Sequence, residues 1–192
     1  MKKLDLYAKW LLRISVIGAL IYTILISHWV GTAGGLIIFF ITFLVDYINY
    51  KFFKIDSIIT ATSYLYCILS LVMGSMLDFY DKIEWWDLLM HILSGIILGI
   101  IANVILIKNT GKFKIKKSFR FLFIVGIACI GGVVWEIFEF TVDLLFKLDT
   151  QLANGSGISD TMWDLIMDFT GGVGAAIYFI VSKKENKIIS KK

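Results

Sequence analysis

The chain has 192 residues with a formal net charge of +4; 58% are apolar or aromatic and only 18% are charged. Its mean hydropathy of +0.82 lies well above that of a water-soluble domain, in which about a quarter of residues are charged. These values exclude a disordered chain and a soluble enzyme, and they imply an all-α, polytopic membrane bundle. With no proline among its residues, the chain also lacks the makings of a collagen-like segment or a Gly-Pro linker.

Six apolar runs are long enough to span a bilayer, over 11–28, 32–50, 57–77, 86–107, 119–140 and 161–182. Backbone polar groups must be satisfied internally in lipid, so each run is expected to be a helix. The first run is longer than a signal-peptide core and reads as an uncleaved anchor. The expected organisation is a single six-helix domain over 1–192. Within it, 1–84 carries the less specific first three spans, 85–182 the chemically distinctive last three, and 183–192 a basic cytoplasmic tail.

Basic residues set the expected topology. Seventeen of the 19 Lys and Arg fall in the N-terminal stretch up to Arg13, between spans two and three, from the fourth-to-fifth connection to Arg120 at the start of span five, or in the tail. Only Lys82 and Lys147 fall on the other side. Positive charge concentrates on cytoplasmic loops, so both termini are expected inside, in agreement with the even span count. The basic excess is therefore a topology signal and gives no reason to expect a nucleic-acid partner. Trp29, Trp85, Trp86, Trp135 and Trp163 are placed as an outer aromatic belt, with Trp10 and Tyr50 inside. Cys67 and Cys129 lie within apolar runs at no metal-ligand or redox spacing and read as small apolar residues. The stretch Asn154-Gly155-Ser156-Gly157 reads as a flexible outer loop tip.

The acids are distributed oppositely. Of 15 Asp and Glu, 11 lie toward the outer side. Asp87 and His91 are spaced i, i+4, with Ser94 or Gly95 extending the stripe. Glu136, Glu139 and Asp143 are spaced i, i+3, i+7, and Asp160, Asp164 and Asp168 are spaced i, i+4, i+8. Each set occupies one helical face. The fourth and sixth spans run inward and the fifth outward, so the three stripes share the outer half of the bilayer. An Asp at the centre of a spanning helix costs about 2.5–3.5 kcal/mol to insert. No Lys or Arg lies at matching depth in these spans, so the acids need water, protons or a cation.

Structural roles compete for some of these residues. Asp87 and Asp160 suit the first turn of a helix, where a carboxylate meets the dipole. Asp143 suits a solvated interface, and His91 suits a hydrogen-bonded partner of Asp87. Gly95, Gly99, Gly171, Gly172 and Gly174 read as close-packing positions between helices. Glu136, Glu139, Asp164 and Asp168 have no comparable structural explanation. HExxH, Walker A and Gly-x-Ser-x-Gly patterns are absent from the chain.

The pattern Trp86-Asp87, His91, Ser94-Gly95, then Glu136-x-x-Glu139 with Asp143, then Asp160-Thr161-x-x-Asp164-x-x-x-Asp168-x-x-Gly171-x-x-Gly174 resembles the YjdF-like family of bacterial inner-membrane proteins. The resemblance to the VanZ-like family is more distant. It covers roughly 85–182, and Trp86 departs from the Lys-x-x-His arrangement more usual in the relatives. The resemblance implies a six-span protein of the bacterial plasma membrane and carries no reaction with it.

Three functions suit these residues. The first is outward-facing, metal-dependent hydrolysis or transfer on a lipid or lipid-linked envelope substrate. In that reading His91, Glu139, Asp164 and Asp168 hold a divalent metal such as Mn²⁺, Zn²⁺ or Mg²⁺. Glu136 and Asp87 are catalytic, Glu136 as general base, and Asp143 and Asp160 are accessory. The second is a non-enzymatic membrane or envelope binding protein. The third is a cation or proton pathway, for which only Asn103 and Asp46 offer polar continuation inward.

Overall fold

A computed structural model describes residues 3–53, 57–110, 115–151 and 153–182. Lys2, Lys54, Asp56, Lys112, Lys114 and the whole 183–192 tail lie outside the described residues. The described residues form helices α1 (Lys3–Leu25), α2 (Trp29–Ile48), α3 (Ser57–Cys67), α4 (Phe79–Lys82), α5 (Trp86–Thr110), α6 (Lys117–Phe146), α7 (Ala153–Ser156) and α8 (Ile158–Val181). Wider π-helical turns continue α2 over Asn49–Phe53 and α3 over Ile68–Met76. No strand occurs among the described residues. Among the described residues, six helical segments are long and apolar enough to cross a membrane, one for each expected span.

Several segments extend beyond the expected ends. The first begins at Leu4 and the fifth runs from Lys117 to Phe146. At 1.5 Å per residue, those 30 residues reach about 45 Å, against roughly 30 Å of hydrocarbon. Apolar runs mark the lipid-buried part of a helix, whereas backbone hydrogen bonding carries the helix on into the interface. The expected loop tip is itself a helical turn, α7, and Gly157 at φ 62° caps the start of α8.

The chain divides into two compact units, Met1–Met90 and His91–Lys192. In the first, Ala8, Leu12, Val16 and Ala19 recur at helical spacing along α1 and are buried with Ala61, Tyr64, Val72 and Met76. A polar cluster accompanies this core. Arg13 is buried, its Nη2 donates to Asp46 Oδ2 at 2.6 Å, and its Nε donates to Thr42 Oγ1 at 3.2 Å. Lys9 Nζ lies 3.0 Å from the same Asp46 oxygen, and Tyr64 OH donates to Asp46 Oδ1. The Arg13 guanidinium also stacks 3.8 Å over the Phe43 ring. Asp46 thus ties α1, α2 and α3 together, and Arg13, counted from the sequence as a topology charge, is its buried partner. Trp86 departs from the expected aromatic belt as well. It is buried edge-on against Phe79, while Trp29, Trp85, Trp135 and Trp163 are exposed as expected.

In the second unit α6 packs along α8. Ile124, Val125 and Ala128 meet Ala175, Ala176 and Phe179, with Ala102 of α5 in the same core. The small residues allow close helix approach, because van der Waals packing and not hydrophobic exclusion holds helices together in lipid. Leu122, Ile130, Val134, Ile137 and Phe138 point outward on α6, an apolar exterior suited to a bilayer. Toward the Lys117 end of α6, buried Arg120 directs both Nε and Nη2 onto Asn103 Oδ1, at 2.9 and 2.7 Å. Arg120 was likewise read from the sequence as a loop charge.

Candidate functional site

The second unit brings the predicted acids together around one imidazole. His91 and Ser94 lie one turn apart on α5, Glu136 projects from α6, and Asp164 and Asp168 lie one turn apart on α8. His91 and Glu136 are each 5% exposed, Asp164 2% and Asp168 0%. These values decide the electrostatics, because no bulk water hydrates this part of the cluster.

Glycines make the convergence possible. A Cβ at Gly95 would run into the main-chain oxygen of Asp168, and one at Gly171 into that of Ile92. A Cβ at Gly132, one turn before Glu136 on α6, would occupy the space of the Asp168 carboxylate. The expected packing roles of Gly99 and Gly172 hold, against Ala175 and Ala128. Gly174 does not follow the expectation, since it is exposed with open space around it.

The hydrogen bonds give the ring an orientation. His91 Nδ1 lies 2.9 Å from Asp168 Oδ2. A carboxylate accepts, so Nδ1 carries the proton and donates. Ser94 Oγ lies 2.9 Å from the main-chain oxygen of His91 and bonds Asp168 Oδ1. Nε2 therefore faces the other way. It stands 3.9 Å from Glu136 Oε1 and 3.9 Å from Asp164 Oδ1. Asp87 lies one turn before His91 on α5 and is half-buried. Glu136 Oε1 is buried and accepts no hydrogen bond from any described residue.

The remaining predicted residues are placed differently. Glu139 lies three residues beyond Glu136 on α6 and is half-buried. Asp160 is half-buried in the first turn of α8, after Gly157. Asp143 ties down the loop that follows α6. Its carboxylate accepts from Thr150 N at 2.7 Å, Thr150 Oγ1 at 2.6 Å and Gln151 N at 3.0 Å. The loop returns Gln151 to the cluster, with its Nε2 3.3 Å from Glu136 Oε2. Sequence reasoning overlooked Gln151 and Gly132. A single Gln in a polar loop has no periodicity to mark it, and Gly132 reads as one more small residue in an apolar run.

The donor set suits a divalent cation. Metal–ligand bonds of about 2.0–2.3 Å place co-ligand atoms roughly 3–4 Å apart, as Nε2 and Asp164 Oδ1 are. A His whose other ring nitrogen donates to a carboxylate is the usual supporting arrangement at metal centres. Three buried carboxylates, Glu136, Asp164 and Asp168, face one imidazole. Buried charge of one sign requires a cation or protons to offset it.

Six apolar helices with a buried carboxylate–imidazole cluster define a polytopic helical membrane protein. Residues 8–185 match the family described as "Predicted membrane protein (DUF2238)", and the chain belongs to that family. A Thermotoga maritima protein described as "Uncharacterized protein" is 36% identical over 102 residues, 52% of this chain and 50% of that protein. The match thus spans about half the length of that curated relative. No solved structure matches the chain.

Proposed function

We propose that the chain is a divalent-metal-dependent protein of the bacterial inner membrane that catalyses hydrolysis or transfer on a lipid or lipid-linked envelope substrate. The YjdF-like resemblance is compatible with its membership of the membrane family. The observation that carries the reading is the oriented His91, with Asp168 behind Nδ1 and buried carboxylate oxygens 3.9 Å in front of Nε2.

In this reading His91 Nε2 and Asp164 hold the ion. Asp168 and Ser94 fix the ring and remain behind it. Glu136 Oε1 flanks Nε2 without a hydrogen bond, from where it takes a proton from an attacking water or hydroxyl. The ion supplies Lewis-acid polarisation of a phosphoryl or acyl oxygen. His91 and Asp164 lie about 8–9 Å from the starts of their helices, a depth that lipid head groups and their acyl linkages reach.

Cation transport has less support. Asn103, the inward polar residue of the second unit, is engaged by buried Arg120, whose fixed positive charge opposes a cation on that route.

The test is elemental analysis of the detergent-purified chain after incubation with Mn²⁺, Zn²⁺ and Mg²⁺ and desalting. The expected result is near-stoichiometric metal in the wild type, lost in His91→Ala and Asp164→Asn variants that still purify as folded protein. A metal-free wild type overturns the reading and leaves a proton-sharing cluster. Metal-loaded protein is then screened against membrane lipids and lipid-linked phosphates.

A further inference from the structure

We infer that Gln151 is a positioning residue that sets which oxygen of Glu136 faces the metal site, and that Asp143 holds the loop that delivers it. The inference rests on the metal reading above and adds a residue from outside the spanning segments to that site.

Lys147, with φ 57°, ends α6 in a left-handed turn, and its N–H donates to Asp143 O at 2.8 Å. The chain reverses there. Both oxygens of the Asp143 carboxylate are then taken up by the next turn of loop. Thr150 N and Oγ1 donate to Oδ1, and Gln151 N donates to Oδ2. This clasp fixes the backbone of Gln151 over the outer end of α6. Its side-chain Nε2 reaches Glu136 Oε2 at 3.3 Å, the Glu136 main-chain oxygen at 3.4 Å and Thr161 Oγ1 at 3.4 Å. The amide thus bridges α6 and α8.

A carboxylate pivots about a single bond, so pinning one oxygen fixes the direction of the other. With Oε2 held by Gln151, Oε1 is directed at His91 Nε2, 3.9 Å away. Oε1 accepts no hydrogen bond from a described residue, so nothing else described in the structure holds it there. The Gln151 side chain therefore determines how much negative charge the ion meets from Glu136. It also determines where the proton acceptor stands.

The experiment is Mn²⁺ titration of the detergent-solubilised full chain, following free ion by electron paramagnetic resonance. It compares wild type, Gln151→Ala, Gln151→Met, Glu136→Gln and the Glu136→Gln/Gln151→Ala double variant. Outer contacts at metal sites typically contribute about 10- to 100-fold in affinity. Both Gln151 variants are expected to bind Mn²⁺ roughly tenfold more weakly than wild type. The metal-free melting temperature reports any loss of fold, and Gln151→Met keeps the side chain's length if Ala loosens the loop. The double variant is expected to bind no more weakly than Glu136→Gln alone, because Gln151 acts through that carboxylate. Wild-type affinity in both Gln151 variants overturns the inference and leaves the metal reading standing. An undiminished loss in the Glu136→Gln background also overturns it, because the loop then acts independently of Glu136. A wild type that binds no Mn²⁺ overturns both readings.

Discussion

His91 Nδ1 and Asp168 Oδ2 meet at 2.9 Å although 77 residues separate them in the chain. This contact turns the imidazole so that Nε2 faces Glu136 and Asp164. It also assigns different tasks to the two most deeply buried aspartates of α8. Asp164 faces Nε2, and Asp168 holds the ring from behind.

That division makes Asp168 separable from Asp164. Asp168→Ala is expected to weaken metal affinity by about 10- to 100-fold without abolishing it, as loss of an orienting partner does. Asp164→Asn, which removes a carboxylate proposed as a ligand, is expected to cost more. Parallel Mn²⁺ titrations of the two variants check the order, and equal losses would contradict it.

Gly132 and Gly95 leave space for the Asp168 side chain and backbone. Ala at either position overpacks the α5–α6–α8 junction and is expected to destabilise the protein by about 1–3 kcal/mol. Gly174→Ala, in open space, is expected to change stability by no more than about 0.5 kcal/mol. Thermal unfolding in detergent ranks the three, and a Gly174 variant as damaged as Gly132→Ala would refute the packing account.

In the first unit Arg13 is buried and Asp46 is its charged partner at 2.6 Å. Asp46→Asn leaves two cations, Arg13 and Lys9, facing a neutral amide. Asp46 is only partly buried, so the loss is expected to fall below the roughly 3–5 kcal/mol of a fully buried pair. A fall in melting temperature and in detergent-stable yield is expected. It should be smaller in the Arg13→Met/Asp46→Ala double variant, which removes both charges.

Asp143→Asn tests the loop clasp. The carboxylate accepts from two backbone N–H groups, Thr150 and Gln151, and an amide oxygen cannot replace both acceptors. Exchange at those two amides is expected to rise about tenfold, equivalent to ~1.4 kcal/mol of lost protection. Hydrogen–deuterium exchange over 147–151 measures it, and unchanged protection would show that the loop is held by something else.

The positive-inside expectation is checked by labelling. With Cys67 and Cys129 replaced by Ala, a Gly155→Cys variant should react with an impermeant maleimide on intact cells. A Lys108→Cys variant should react only after permeabilisation. The reverse pattern would invert the topology.

The helices were legible from the residues because lipid imposes a simple rule. A backbone in hydrocarbon must bond to itself, so a run of about 20 apolar residues becomes a helix almost regardless of its neighbours. Periodicity then placed Asp87 with His91, and Asp164 with Asp168, each pair on one face of its helix. Local spacing could not show which oxygen faces which nitrogen, because that depends on how α5, α6 and α8 meet. Arg13 and Arg120 looked like loop charges because they sit at span ends, and only packing shows them buried beside Asp46 and Asn103. Gln151 had no local signature at all, since its position follows from a chain reversal at Lys147 and a carboxylate eight residues back. Composition and period thus determined the membrane class, the helices and the set of acids. The roles within that set were decided by tertiary contacts, because hydrogen-bond direction and burial arise only where distant helices touch.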